Sequence, residues 1–401
     1  MHLTEGEYYE LTTTYHENKG FSIEKSKFDK IFFEKKILSK VNGFVYFRFS
    51  CLTHYYAAKY ATKNRSFYNF IISKKNYLNY SEEINYYSGL VRNDAELLAS
   101  IQSYIVPEVE KERHKKYAFS EDGIKFKIDM TIEDIKNEFS KSERLPVVVK
   151  DELTDKTKDS EEYTPDNESY TESEYRDAFS AATHIFGNVI KNSEEIDIQI
   201  KKIALGYFME ACCIHLSLFD RYLEENIEEV TRELTNEILK YEVKEKDLTP
   251  ELIDQCKIKV ADHILDIIKV MAPLSMQNYI LDVVGTPKLS RVIKEGYEQY
   301  SSDESEKFFY LYLYCDLKEE KWYDLLRDYI KNLKSNDLLK ISYFKCWYYH
   351  YTDYFGKNNR NAENITIDIV SKLNKGADKD LVKRELGARK LKMKQVEDYE
   401  I

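Results

Sequence analysis

Apolar residues recur at steps of three or four through most of the second half of the chain. A first stripe lies within 199–223 and a second within 227–241. A third begins after Thr249-Pro250, a pair typical of a helix N-terminus. Such spacing puts the members of a stripe on one buried helix face. The pattern predicts long helices, the third of them ending at Pro273. The first stripe contains Ile200, Ala204, Phe208, Cys212, Leu216, Phe219 and Leu223.

The C-terminal part of the chain predicts a series of shorter helices. Ser335 is a suitable N-cap, and Gly356 and Gly376 lie where glycines end helices. Short connections predict antiparallel hairpins that stack on their neighbours, although no repeat of fixed length is visible. The predicted helices cover 304–316, 320–334, 336–355, 361–374 and 379–396.

Two short stretches near the N-terminus alternate between apolar and polar positions. Residues 44–49 follow Asn42-Gly43, a dipeptide typical of hairpin turns, and predict a strand. Residues 124–130 predict a second strand. Both are too short to form a large sheet. The predicted fold class is therefore all-α, with stacked, solenoid-like helical hairpins and a short β-wing near the N-terminus.

An acidic, polar segment divides the chain. Residues 150–177 contain 11 Asp and Glu against 4 Lys and Arg, with almost no apolar side chain. Such a segment cannot bury enough surface to offset its ordering entropy. We predict a first helical domain over 1–145, an acidic linker or long loop over 146–178, and a helical array over 179–401.

Composition and charge narrow the class of protein. The chain of 401 residues has only 12 Gly and 6 Pro, which favours helices, and its formal net charge is −11, which opposes non-specific adhesion to nucleic acid or anionic membranes. No secretory signal is visible, and no run of about 18 apolar residues occurs. We therefore expect a cytoplasmic protein, with neither nucleic acid nor a membrane as its partner.

Sequence motifs for catalysis or cofactor binding are absent. No G-x-x-x-x-G-K-[S/T] loop occurs, so the sequence offers no phosphate cradle. Cys212, Cys213 and His215 are poorly spaced for a metal, since successive helical residues point about 100° apart. Cys51 and His54 lie one helical turn apart and would form a dyad only if an acid oriented the histidine. We predict no enzyme, no metal and no cofactor, with a dispersed Cys/His site as the alternative.

Two C-terminal clusters are candidates for contact with a partner. The stretch 343–355 is dense in Tyr and Trp, which dominate binding hot spots and can stack nucleobases, although core packing is the explanation that the pattern favours. A basic helix follows, suited to a solvated face, an acidic partner or a phosphate backbone. The aromatic candidates are Trp347, Tyr348, Tyr349, Tyr351 and Tyr354. The basic candidates are Lys383, Arg384, Arg389 and Lys390.

Residues 38–61 resemble a junction in bacterial STAND NTPases, particularly NACHT-like ones. There the last helix and wing of a winged-helix domain lead into a helix with an aromatic-Ala-Ala-x-Tyr signature. Residues 84–94 resemble a second element of the family, in which Gly89 suits a turn with positive φ before Arg92 and Asp94. Residues 184–192 resemble a third. The signature residues in this chain are Tyr55, Tyr56, Ala57, Ala58 and Tyr60.

This resemblance implies packing roles for these residues and a winged-helix end within 1–145. It also implies a non-catalytic interaction module, the sensor or scaffold half of a STAND-type antiphage defence system. Because the family's ATPase module lies N-terminal to its winged helix, we expect a separately encoded half of a split system or a piece of a longer gene. The implied partner is a separately encoded ATPase or effector subunit, or a phage component. A general helical scaffold or adaptor without a defence role is the alternative.

Overall fold

The computed structural model describes residues 3–20, 25–121, 123–125, 172–242, 250–300, 304–356, 359–374 and 378–399. Across these ranges the protein has 15 α-helices and one three-stranded sheet, which confirms the all-α class with a short β-wing. The described residues form two compact units, one within Met1–Tyr104 and Thr164–Asp197, the other within Ile105–Tyr163 and Ile198–Ile401. Residues 146–171 of the predicted linker lie outside the described residues, so the domain boundaries stay a prediction.

The first unit begins with a small sheet and two helices. The three strands are antiparallel in the order β1-β3-β2. Asn42 and Gly43 join β2 to β3 with φ of 51° and 82°, the two positive values that a tight hairpin turn requires. The predicted wing strand is therefore confirmed. These elements are β1 (Leu3–Thr4), α1 (Glu5–Lys19), α2 (Lys25–Glu34), β2 (Leu38–Val41) and β3 (Phe44–Phe47).

Five helices follow in the first unit, and the division between the units falls within α6. Helix α3 packs on α5, and α5 packs on α7. The side-chain amide of Asn192 on α7 donates to Asn85 Oδ1 at 3.1 Å and to Ser88 Oγ at 2.9 Å, which fixes α7 to α5. These helices are α3 (Ser50–Ala61), α4 (Arg65–Ile72), α5 (Ser81–Leu90), α6 (Ala95–Glu112) and α7 (Glu172–Asn192).

The second unit consists of consecutive helices that pack as hairpins. Helix α8 packs on α9, α13 on α14 and α14 on α15, while α8 and α9 also contact α11. Ser335 caps α13 by accepting a hydrogen bond from Leu338 N at 3.2 Å, as predicted. The helices are α8 (Ile198–Glu242), α9 (Pro250–Val284), α10 (Ser290–Glu295), α11 (Glu304–Asp316), α12 (Trp322–Asn332), α13 (Asn336–Tyr351), α14 (Asn359–Leu373) and α15 (Lys379–Tyr399).

Helix α9 does not end at Pro273, so that prediction is wrong. The helix continues to Val284, and Ile280, Val283 and Val284 are buried. A proline inside a helix costs about 3 kcal/mol, and the burial of the turns that follow offsets this cost. The two stripes predicted on either side of 224–226 belong to one long helix, α8, which is kinked at Asn226.

A non-helical segment after α6 is bound to the start of α13. We call its described residues, 117–121 and 123–125, the strap. The Asp337 carboxylate accepts hydrogen bonds from Gly123 N at 2.9 Å, from Ile124 N at 2.8 Å and from the Ser120 hydroxyl. The Ser335 hydroxyl donates to Ser120 O at 2.7 Å. Residues 126–130 of the predicted second strand lie outside the described residues, and Ile124 and Lys125 are in no strand.

One described helix, α8, is long and apolar enough within Ile198–Glu233 to cross a membrane, judged by length and composition. However, 56% of the 18-residue window that meets this criterion is buried inside the protein. A buried core helix meets the same criterion. The apolar stretch of α8 is therefore no evidence for or against a membrane span, and the cytoplasmic location stays a prediction.

Candidate interaction surfaces and functional residues

The predicted aromatic candidates on α13 lie mostly in the core. Tyr349 is 0% exposed and Trp347 is 6% exposed, because α13 is covered by α9 and α14. Tyr351 and Tyr354 are half-buried, whereas Tyr348 is 50% exposed. Direct contact with a partner is thus open to Tyr348, while Trp347 and Tyr349 are packing residues in this structure.

A buried polar network around Asp316 explains the position of Tyr349. The Tyr349 hydroxyl donates to Asp316 Oδ1 at 2.5 Å, and the Tyr354 hydroxyl donates to the backbone carbonyl of Asp316 at 2.9 Å. Lys345 Nζ lies 3.0 Å from Asp316 Oδ2, which also accepts from Gln277. Burial, and then the Asp316 charge, raises the pKa of Tyr349 well above its ordinary value. Tyr349 therefore stays a neutral donor and links α13 to α11.

The basic candidates on α15 divide into a structural residue and exposed ones. Lys390 Nζ donates to His350 O at 2.7 Å and pairs with Asp353 Oδ1 at 2.6 Å, which ties α15 to the end of α13. Arg389 is half-buried, and Lys383 and Arg384 are exposed. The exposed members of the basic candidates, Lys383 and Arg384, therefore lie in the first two turns of α15.

The aromatic-Ala-Ala-x-Tyr residues on α3 divide into residues that pack against α5 and tyrosines that are exposed. Ala58 is fully buried where α3 meets α5, and Tyr55 packs edge-on against Tyr86 of α5 with ring centroids 6.2 Å apart. Small residues such as Ala58 and the half-buried Ala57 allow close helix approach. Tyr56 and Tyr60, in contrast, are exposed.

The predicted turn at Gly89 is wrong. Gly89 is the penultimate residue of α5, and the positive-φ glycines of the described residues are Gly20, Gly43 and Gly356. The chain turns after α5 instead, where the Asp94 carboxylate caps α6 by accepting from Leu97 N at 2.9 Å. A side-chain cap of this kind ends the turn without a left-handed residue.

Arg92 and Asp94 have structural partners within the first unit. Asp94 also accepts a hydrogen bond from the Tyr87 hydroxyl at 2.9 Å. The Arg92 guanidinium lies 3.3 Å from Glu194 Oε2, and the Arg92 carbonyl accepts from Glu195 N at 3.2 Å. These contacts connect the start of α6 to the end of α7.

An acid does orient His54. Its Nδ1 lies 2.9 Å from Oε1 of Glu83, a mostly buried residue of α5. Cys51 is exposed and forms no hydrogen bond to His54, both residues being in the described part of α3. The pair His54–Glu83 thus joins two helices, and the absence of an enzyme activity stays a prediction.

The cluster Cys212, Cys213 and His215 lies on α8 in an apolar environment. Burial raises the pKa of Cys212 well above its ordinary value and lowers the pKa of His215 to about 4. Both groups are therefore neutral at pH 7. Among the residues that the structure describes, no group of three His, Cys, Asp or Glu could hold a metal ion.

Large apolar side chains are exposed in the N-terminal elements, a feature that the sequence patterns did not reveal. Helix α1 has Tyr8 as its buried residue and exposes the rest of its apolar side chains. A possible signal was that α1 is rich in Tyr yet has no apolar stripe. We call this set the N-terminal apolar surface: Tyr9, Leu11, Tyr15, Ile31, Val41, Phe44, Phe49, Tyr56, Tyr60 and Phe70.

Ring contacts connect parts of this surface. Phe47 of the wing stacks on Tyr56 with centroids 5.6 Å apart. Phe67 lies between Tyr60 and Phe70, at 5.4 Å and 6.4 Å. The wing, α3 and α4 therefore present joined aromatic groups to solvent.

The comparison with protein families concerns the same region. Residues 2–57 match the family model Novel STAND NTPase 4. This segment is similar to a STAND NTPase family. It covers β1, α1, α2, the wing and the first part of α3, and includes most of the N-terminal apolar surface. No curated protein and no solved structure matches the chain.

Proposed function

We propose that the chain is a non-catalytic protein-interaction module of a STAND-type bacterial defence system, and that the N-terminal apolar surface binds its protein partner. The observation that carries this proposal is the exposure of large apolar side chains within and beside the segment that matches a STAND NTPase family. Burying one such side chain fully is worth about 1.5–3 kcal/mol. A partner that covers several of them therefore gains substantial free energy.

The chemistry of the surface favours a protein over a small molecule. Its Tyr and Phe rings are the side chains that dominate protein–protein hot spots, and they lie on several elements rather than around one cavity. Clusters of exposed apolar groups on protein surfaces commonly mark such contacts.

The partner that fits best is an ATPase or effector module of a STAND-type system. The matched segment is similar to a family of NTPases, while the printed sequence has no G-x-x-x-x-G-K-[S/T] loop. The helical array of the second unit then serves as scaffold or sensor, and Tyr348 is its exposed aromatic contact for a phage component. A general helical scaffold would instead bind no STAND-type ATPase.

The test is a binding measurement on matched leucine variants. Leu11 of α1 is 60% exposed and Leu381 of α15 is 50% exposed, so Leu11→Ser and Leu381→Ser make the same chemical change inside and outside the surface. Each should leave the melting temperature nearly unchanged. A STAND-type ATPase from the same genome is co-expressed with each variant, and the dissociation constant is measured by calorimetry.

We expect Leu11→Ser to weaken binding at least fivefold, since truncating a hot-spot side chain costs about 1 kcal/mol or more, and Leu381→Ser to leave it unchanged. Equal binding by both variants would show that the N-terminal apolar surface is not the contact. Failure to bind any such ATPase would favour the general scaffold.

A further inference from the structure

The second unit has a charged groove that the proposed function does not use. It lies between α12 and α14 beside the start of α15, with a volume of about 490 Å³. Two helices supply its walls at i, i+4 spacing, which places the paired residues on one face of each helix. The charged residues of the lining are Arg327, Asp328, Lys331, Asp368, Lys372 and Lys379.

Lys372 has a structural role in this groove. Its Nζ donates to the carbonyls of Ile330 at 2.8 Å, Lys331 at 3.0 Å and Leu333 at 2.5 Å. An ammonium group has three donors, so all of them are used. Burial lowers the pKa of Lys372. Lys372 thus caps the C-terminus of α12 and fixes the position of that helix against α14.

Asp368 positions two other cations. Its Oδ1 lies 2.6 Å from Lys379 Nζ, and its Oδ2 lies 3.8 Å from Arg327 Nε. Both cations are more than half exposed on the solvent side of the groove. A cation held by one carboxylate keeps further donors for a second acceptor. Asp368 therefore holds the side chains of Arg327 and Lys379 in position and leaves them donors for a second acceptor.

Lys331 is the third cation of the groove, after Arg327 and Lys379, that is open to a ligand. It is exposed, and within the described residues its ammonium group has no hydrogen-bond or ion-pair partner. The lining has four cations and two carboxylates, an excess of 4 − 2 = 2 positive charges in a chain whose formal net charge is −11. Lys383, one turn after Lys379 on α15, is also exposed and extends the positive charge along that helix.

We propose that this groove binds an acidic peptide segment of a partner protein, whose carboxylates pair with Arg327, Lys331 and Lys379. The three cations come from two helices that border one groove, so carboxylates at several positions of one peptide can pair with them. This site is separate from the N-terminal apolar surface and does not depend on the proposed partner there.

A nucleic acid fits the groove less well. No aromatic residue is among the lining residues that could stack a base. An excess of two charges is also small compared with the roughly 6–10 phosphate contacts of a typical duplex-binding protein.

The test uses the full chain and a fluorescein-labelled acidic peptide as probe. The peptide has 14 residues, six of them Glu or Asp among Ser and Gly, and has no sequence in common with this chain. A second peptide has Gln and Asn in place of those Glu and Asp. Fluorescence anisotropy gives the dissociation constants for the wild type, for Lys331→Glu, and for Lys307→Glu, which changes an exposed lysine of α11 outside the groove by the same charge.

We expect the acidic peptide to bind and its neutral copy to bind at least tenfold more weakly. Lys331→Glu should weaken binding of the acidic peptide at least tenfold, while Lys307→Glu should change it less than twofold. Thermal melting checks that both variants fold. No binding by the wild type, or equal weakening by both variants, would overturn the proposal. A single-stranded oligonucleotide that binds with the same affinity and the same dependence on Lys331 would also overturn it, since the site would then accept any polyanion.

Discussion

Replacing Asp337 by alanine should detach the strap from α13. Asp337 is 3% exposed, and its carboxylate accepts from Ile124 N, Gly123 N and the Ser120 hydroxyl. A buried donor left without its acceptor costs about 1–3 kcal/mol. Ile124 N is buried and should cost about 2 kcal/mol, whereas Gly123 and Ser120 are nearer to solvent and should cost about 0.5–1 kcal/mol each. The expected loss in free energy of unfolding is about 3–4 kcal/mol.

Asp324→Ala is the matched control. Asp324 also lies in the first turn of a helix, α12, but it is exposed and its carboxylate has no partner among the described residues. It contributes only the interaction of a carboxylate with the helix N-terminus, about 0.3–1 kcal/mol. The same dipole contribution is lost in Asp337→Ala. The difference between the two variants therefore isolates the bonds to the strap.

Two measurements check this reasoning. In a unit of this size each kcal/mol lowers the melting temperature by about 2–4 °C, so Asp337→Ala should melt about 6–16 °C below the wild type and Asp324→Ala within about 4 °C of it. Hydrogen exchange should show amides 123 and 124 protected in the wild type and in Asp324→Ala, and unprotected in Asp337→Ala. Equal melting temperatures for the two variants, or unprotected amides in the wild type, would refute the role of Asp337.

Three further predictions concern packing and nucleotide binding. A Cβ on Gly296 would lie 2.8 Å from Cζ of buried Tyr310, so Gly296→Ala should lower the free energy of unfolding, measured in urea, by about 1–3 kcal/mol. Gly206 has open space around it, so Gly206→Ala should instead stabilise α8 by up to about 1 kcal/mol. Tyr349→Ala should cost about 3–5 kcal/mol and Tyr348→Ala less than about 0.5 kcal/mol, and equal urea midpoints would contradict their different burial. Mg-ATP should not raise the melting temperature, whereas binding at a hundredfold excess over Kd would add about 2.7 kcal/mol.

Local features of the fold could be predicted from the sequence. The C-terminal helices lie within a few residues of their predicted bounds, because periodicity, the Ser335 cap and turn residues all act over short distances. Asn42-Gly43 marked the wing for the same reason. The predicted helix end at Pro273 was wrong because burial of the turns after it outweighs the low preference of proline for a helix interior.

The surfaces could not be predicted in the same way. Tyr348 and Tyr349 are neighbours in one aromatic stretch, and only the packing of α9 and α14 around α13 decides which is exposed. The exposed rings of the N-terminal apolar surface leave no stripe, since they are not buried along one helix face. The groove beside α12 depends on three helices coming together, and its charged residues are unremarkable in each helix alone.

The strap also constrains how the chain folds during synthesis. Ser120 and Asp337 are 217 residues apart, and translation at about 5–20 residues per second separates their synthesis by about 10–40 s. Throughout that interval the amides of Gly123 and Ile124 have no Asp337 to bind, and the side chain of Ile124, buried in the folded protein, stays accessible. Apolar surface that is exposed for this long in a nascent chain is prone to aggregation, so the strap is a liability until Asp337 has been made.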